Sequence, residues 1–430
     1  MDIAERDTIL SLVKREVVVA IGCTEPVAVA LCTAKAKELL DKTPEKITVY
    51  LSANVLKNAM GVGIPGTGGI TGLPIAIALG ALIGKSEYGL EVLKNSSPAA
   101  VDEGKKMIDS KVIDILLKQN ICEKLYIEVA CEAGNEKATA IISGKHTNFI
   151  YLKKNGNVLL DKKKNDKLKD CSDTPKVDLT LKKVYDFSMT TPFEDISFIL
   201  ESAKVNKAAA ETAFKGNYGH QLGKILDSKD NKIMGDSLFT SILSYTSAAC
   251  DARMAGAMIP VMSNSGSGNQ GIAATLPIVI CAEQNSNTEE ELARALMLGH
   301  LIPIYIKQHL GCLSALCGCV VAATGTSCGI VYLMGGSYDQ MCYAVKNMIG
   351  NLTGMICDGA KPSCSMKITS GVSTAIFSAM LALKNKYVTS VEGIIDDDVD
   401  QCIRNLTEIG SVGMEETDKL VLKIMTHKNP

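Results

Sequence analysis

Three stretches of the chain, residues 59–84, 254–282 and 310–334, contain no Asp, Glu, Lys or Arg. Some 25 uncharged residues in a row must leave water, either into a bilayer or into a protein core. Each stretch is broken where a plain membrane span would be continuous: the first by GIPGTGG (63–69), the second by SNSGSGNQG (263–271), the third by Gly, Ser and Thr. A transporter with broken helices would show such interruptions too. The charged helical segments elsewhere favour a soluble protein with buried helices, so no membrane is expected. With no Trp, 7 Phe and 12 Tyr, the interior must be built from Ala, Val, Ile, Leu, Met and Gly, which suit close helix packing.

The 45 basic and 47 acidic residues leave a net charge of -2, and no electrostatic footprint for nucleic acid. The opening MDIAERDTILSLVKRE lacks the apolar core and cleavage site of a signal peptide. Fifteen cysteines, an odd number in a large chain without such a signal, point to reduced thiols and a cytoplasmic protein. A homodimer is left open.

A chain of 430 residues predicts two domains. Residues 4–20 and 26–41 read as amphipathic helices, and KITVYLSA (46–53) alternates as a strand. Gly-rich turns and apolar helices fill 60–118. Further strands are expected at 124–132, 137–144 and 146–154, joined by turns that suit an antiparallel meander. Residues 155–185 turn polar and read as a linker; beyond 187 only helical periodicity is found. The expected class is α+β: a mixed α/β lobe with a small antiparallel sheet (1–185), then a mostly α-helical lobe (186–430).

Seven cysteines fall between 312 and 364. Cys317, Cys328 and Cys342 read as small buried hydrophobes, and the absence of any C-x-x-C pair disfavours zinc. CDGAKPSC instead reads as a loop presenting Cys357 and Cys364, and Cys312 follows a glycine that permits close approach. Three thiolates around iron and sulfide form an iron-sulfur site in which one iron is left open to substrate.

The run from QHLGC through LMGGSYDQMCYAVKNMIGNLTGMICDGAKPSC resembles the C-terminal part of the iron-sulfur L-serine dehydratase alpha chain. IGCTEPVAVALCTAKA (21–36), SANVLKNAMGVGIPGTGG (52–69) and SNSGSGNQGI (263–272) resemble the related L-cysteine desulfidase family. The resemblance runs from the first helix to about residue 380. It implies β-elimination of L-cysteine to sulfide and aminoacrylate, which hydrolyses to pyruvate and ammonia. The cofactor implied is a 4Fe-4S cluster on Cys312, Cys357 and Cys364, without pyridoxal phosphate. The last loop is shorter than the family's, so Cys319 stays an alternative to Cys364. L-serine deamination and non-catalytic iron-sulfur redox sensing are the competing functions.

Elimination needs a base for the α-proton and a Lewis acid for the carboxylate or leaving group. Cys23, in a GCTEP turn before a helix whose positive end can lower a thiol pKa, is the first choice for base or transient fourth ligand, with Glu25 capping the helix or tuning the thiol. GSGNQG (266–271) has the letters of a dinucleotide fingerprint without its strand-turn-helix setting. It reads better as a carboxylate cradle at a helix start, with Ser263, Asn264, Ser265 and Asn269 as substrate-binding candidates, or as a tight helix connection. Asn54, Lys57 and Asn58 share a face if helical, where Lys57 would neutralise a carboxylate. His309, three residues before Cys312, would orient a ligand or move a proton; His220 is the weaker candidate.

Overall fold

The computed structural model describes residues 1–119, 121, 123, 125–162, 177–227, 233–311 and 314–427. Helix α1 (Ile3–Glu16) opens on Asp2, whose carboxylate accepts from the Glu5 amide at 2.7 Å. It ends short of the expected residue 20, because VVVAI is a β-branched run that prefers extended backbone; Val19–Ile21 form strand β1.

Helix α2 (Thr24–Leu40), strand β2 (Lys46–Leu51), helices α3 (Ala53–Ala59), α4 (Leu73–Leu82) and α5 (Pro98–Asp109), and strand β3 (Ile113–Leu117) follow. Strands β2 and β3 are parallel, so the three helices between them form the crossover that a parallel pair requires. Strands β4 (Tyr126–Ala133), β5 (Glu136–Ser143), β6 (Phe149–Lys154) and β7 (Asn157–Asp161) add an antiparallel meander, giving a six-stranded sheet of order β3-β2-β4-β5-β6-β7. One face is covered by α2: Ile47, Val49, Leu51, Ile127, Val129 and Ala140 are buried with Val27, Leu31 and Ala34. Each large aliphatic side chain removed from water there contributes about 1.5–3 kcal/mol.

The sheet is larger than the expected antiparallel one, and mixed. Strand β3 hides in the sequence because it is a half-exposed edge with Asp114 inside it. Strand β7 falls in the segment read as a linker, of which residues 163–176 lie outside the described residues.

Beyond the sheet come α6 (Leu181–Thr190), α7 (Phe193–Ile196), α8 (Leu200–Lys215), α9 (Leu222–Asp227), α10 (Leu238–Met254), the short strand β8 (Pro260–Met262), α11 (Gly268–Asn285), α12 (Glu289–Leu310), α13 (Gly318–Leu333), α14 (Tyr338–Leu352), α15 (Cys364–Leu383), α16 (Val399–Glu408) and α17 (Glu415–Thr426). The class is therefore α+β. The uncharged stretches supply α4, α11 and α13, and α13 is apolar all round because α11, α12, α14 and α15 enclose it. Small residues set the spacing: a Cβ on Gly325 would stand 2.5 Å from the Gly299 carbonyl oxygen and 2.7 Å from Pro303 Cδ. Among the described residues, α15 is long and apolar enough to cross a membrane by length and composition, with 50% of it buried inside the protein.

The chain ends tie the lobes together. Ile9, Leu12 and Val13 of α1 join the core of the helical lobe, and Leu422 of α17 joins the core beneath the sheet.

Gly325→Val should overpack the α12–α13 contact and cost about 1–3 kcal/mol, read as a lower urea midpoint. Gly354→Ala, where a Cβ meets nothing within 4 Å, should stay within about 0.5 kcal/mol of wild type. Equal midpoints for the two variants would contradict the packing described.

Candidate active site at the lobe junction

Strand β1 pairs antiparallel with β8, matching Val19 to Met262, Ala20 to Val261 and Ile21 to Pro260. This ribbon sets the GCTEP turn beside SNSGSGNQG. At Gly22 the backbone is left-handed (φ +68°), and a Cβ would meet Pro65 Cγ at 2.6 Å, so only glycine fits the turn without strain. Cys23 is the N-cap residue of α2, yet its thiol does not cap: Sγ donates to Glu25 Oε2 at 3.0 Å. The other Glu25 oxygen accepts from Asn58 Nδ2 at 3.2 Å.

Burial pushes the Cys23 thiol well above its ordinary pKa, and the Glu25 charge adds to the rise, while Arg253 opposes it. This corrects the expectation of a helix-lowered thiol: desolvation and a neighbouring carboxylate outweigh the helix end. His146, in the turn between β5 and β6, lies within electrostatic reach of Glu25; burial lowers its pKa against that carboxylate.

Arg253, in the last turn of α10, is 5% exposed. Its Nη2 donates to the Gly22 carbonyl at 3.0 Å and its Nη1 to Asn269 Oδ1 at 2.9 Å, while Nε is buried without a partner. Asn269 thus reaches the site through Arg253. Gly268 makes room, since a Cβ there would stand 2.3 Å from Nε.

The other cradle candidates are engaged within the fold. Ser263 Oγ donates to the Val18 carbonyl at 2.7 Å and Ser265 Oγ to Asn264 Oδ1 at 2.9 Å. Asn264 Nδ2 donates to His300 Nδ1 at 3.1 Å and to the His300 carbonyl at 2.9 Å. The His300 Nε2–H then faces Thr275 Oγ1 at 3.0 Å, and Thr275 donates to the Gly271 carbonyl at 2.7 Å. These bonds hold the turn in place and engage the side chains of Ser263, Asn264 and Ser265 within the fold.

Helix α3 does form, so Asn54, Lys57 and Asn58 share a helix. Asn54 Oδ1 is buried without a partner. Lys57 is 2% exposed and forms an ion pair with Asp418 of α17. That corrects the carboxylate-neutralising role, because its charge is already matched inside the protein. The loop carrying Cys357 and Cys364 rests on it: Gly359 (φ +87°) sits so close that a Cβ would meet the Lys57 carbonyl oxygen at 2.2 Å.

In the thiol region Leu316 bridges Ile356, the Cys317 amide donates to the Met355 carbonyl at 2.9 Å, and the Cys357 amide donates to the Ala315 carbonyl at 2.6 Å. Cys364 begins α15 and Cys317 precedes α13, so two helix N-termini meet there. Cys317 and Cys319 lie 3.3 Å apart, sulfur to sulfur. Cys317 interacts electrostatically with Cys357, Cys364 and Cys250. Its thiol is held below the ordinary range by the hydrogen bond with Cys319, with Lys367 and Lys361 contributing. The plain hydrophobe expected at Cys317 is therefore a polar-contact thiol, unlike Cys328, which is enclosed by α13 and α14. Asp358 pairs with both lysines, which against the opposing effect of burial hold its carboxyl at about 2.

Cys312 lies outside the described residues. Among the described residues no group of three His, Cys, Asp or Glu side chains stands in metal-holding geometry. The donor chemistry nevertheless suits an anionic iron-sulfur cluster: soft thiols gathered at two positive helix ends beside two lysines. His309 is exposed in the last turn of α12, edge-on to Tyr305 at 5.4 Å between ring centroids. His220 lies in the turn facing Asp251.

Arg253 and His146 were not singled out by the sequence. Arg253 is the last charged residue before the uncharged stretch 254–282, and its place at that edge was the available signal. His146 gave none, since only the β5–β6 turn brings it to Glu25.

The family model described as serine dehydratase alpha chain matches residues 87–423. A UPF0597 protein of Bacteroides fragilis is 68% identical over 426 residues, covering 99% of each chain. UPF0597 proteins of Oleidesulfovibrio alaskensis and Aeromonas hydrophila are 45% and 42% identical, over 98% and 97% of this chain and 98% and 96% of theirs.

Burial holds His300 at about 3, against roughly 6.5 in an unfolded chain. Below pH 6.5 the unfolded state takes up a proton that the folded state refuses, so stability falls as pH drops toward 3. From pH 7 to 5 the loss through His300 should be about 2 kcal/mol, with His146 adding in the same direction. His300→Gln should be less stable at pH 7 but lose less over that interval; parallel urea midpoints at the two pH values would contradict this.

Proposed function

The chain belongs to the serine dehydratase alpha chain family, and from that premise we propose that it is a lyase that β-eliminates L-cysteine. The observation that carries this reading is the 3.0 Å hydrogen bond from Cys23 Sγ to Glu25, a buried thiol with its own proton acceptor at the lobe junction. Glu25 takes the thiol proton, and the thiolate forms beside Arg253. A thiolate with a raised pKa is a strong base, as removal of an α-proton demands. The α-proton passes to Cys23 Sγ, the new double bond forms between Cα and Cβ, and the Cβ–S bond breaks with its electron pair going to hydrosulfide. The proton on Glu25 then reaches the departing hydrosulfide, or leaves through the imidazole of His146, which lies within electrostatic reach of Glu25. Both residues are reset. The aminoacrylate hydrolyses to pyruvate and ammonia.

Cys357 and Cys364 would hold the 4Fe-4S cluster together with Cys312. When bound, it supplies a Lewis-acidic iron for the leaving group. The match to the serine dehydratase alpha chain favours L-serine as the second reading, with water leaving in place of hydrosulfide.

Anaerobically reconstituted protein should release sulfide and pyruvate in equal amounts from L-cysteine, and more slowly pyruvate from L-serine. Release of neither product from either amino acid would end the proposal. Cys23→Ser should keep its iron and labile sulfide while kcat falls on the order of 1,000-fold; loss of iron instead would make Cys23 a cluster ligand.

A further inference from the structure

We propose that Arg253 is the residue that receives the substrate's α-carboxylate, which makes the free carboxylate, more than the β-substituent, the group the enzyme selects. An arginine carries its charge at any ordinary pH, and this one is 5% exposed. Among the described residues no carboxylate lies within ion-pair distance of it. Its two Nη groups donate to neutral oxygens, Asn269 Oδ1 at 2.9 Å and the Gly22 carbonyl at 3.0 Å, and its Nε has no acceptor. A buried cation is ordinarily matched by an anion. Of the nearby acids, Glu25 is engaged by Cys23, Thr24 and Asn58, and Asp251, two residues earlier on the same helix, accepts from the Gly223 amide at 3.0 Å and makes no ion pair with Arg253; Lys57, the other buried cation of the junction, has Asp418.

The guanidinium also interacts with thiols of both groups. Its charge acts on Cys23 and on Cys250, one turn earlier on the same helix, and Cys250 in turn interacts with Cys364 and Cys317. On this proposal a small amino acid with its carboxylate on Arg253 lies among these thiols, with Cα toward Cys23. Asn269 and the Gly22 carbonyl fix the plane of the fork, and Gly268 leaves Nε uncovered by any side chain of its own. The planar, multi-donor geometry of guanidinium matches a carboxylate in a way that an ammonium does not.

That the ligand is an α-amino acid rests on the lyase reading; that Arg253 awaits an anion rests on the guanidinium's own surroundings. The test is calorimetric titration of L-serine and L-serine methyl ester into anaerobically purified wild type, R253K and R253Q, with kcat/KM for L-cysteine and its methyl ester measured alongside. Wild type should prefer acid to ester by about 100-fold. In R253Q the preference should vanish because acid binding falls to the level of the ester, and R253K should lie between. A purely structural role would weaken both ligands alike, so a preference that survives in R253Q, or is absent from wild type, overturns the proposal. Should R253Q not fold, Asn269→Ala carries the test: the acid preference should fall about tenfold, and an unchanged preference overturns it. Acid-selective binding in wild type without sulfide or pyruvate release would support the carboxylate site while removing the lyase reading.

Discussion

Everything at the lobe junction depends on a ribbon of two three-residue strands. Pairing Val19–Ile21 with Pro260–Met262 brings together two turns that share no local sequence, and the Arg253 bond to the Gly22 carbonyl closes the contact across 231 residues of chain. Loop closure of that length costs only slowly increasing entropy, but the contact must be fixed in angle as well as position to serve as a site. Val18 accepts from both the amide and the hydroxyl of Ser263, at 2.8 and 2.7 Å. The buried Asn264–His300–Thr275 series holds the far side. A dry network with each partner satisfied stiffens the turn from which α11 departs.

The electrostatics follow from that geometry. Cys23 and Glu25 stand at the head of α2, Arg253 in the last turn of α10, and the thiol loop at the starts of α13 and α15. Lys57, Lys361 and Lys367 surround the loop, with Asp418 and Asp358 balancing them. Burial raises the thiols of Cys357, Cys364 and Cys23 alike; lysines oppose the rise at Cys357 and Cys364, whereas the Glu25 charge adds to it at Cys23. The neighbouring charges thus act in opposite senses on the loop cysteines and on Cys23, and among the described thiols Cys317 is the one held below its ordinary range.

The fold was legible in the sequence where burial produces a regular pattern. KITVYL alternates because one face of β2 lines the core it shares with α2 and α4, and the long uncharged stretches became enclosed helices. Strand β3 was not legible, since an edge strand with Asp114 within it leaves no clean alternation, and β1 was absorbed into the helix before it. Cys23, Glu25 and Asn58 could be found as motif residues. Their convergence with Arg253 and His146 could not, because it is produced by the β1–β8 ribbon and the β5–β6 turn, contacts that no local spacing encodes. Lys57 shows the converse: a lone lysine on a polar helix face gives no hint that Asp418, 361 residues away in the chain, will occupy it.

The proposed site places one ligand between Cys23, Arg253 and the thiol loop. The most direct measurement is a crystal structure of the anaerobically prepared protein with L-serine bound. The expected result is a carboxylate on the Arg253 guanidinium and an α-carbon within about 4 Å of Cys23 Sγ, near the separation at which a proton can be transferred. L-serine bound on any other face, or bound here with its carboxylate turned away from Arg253, would contradict it.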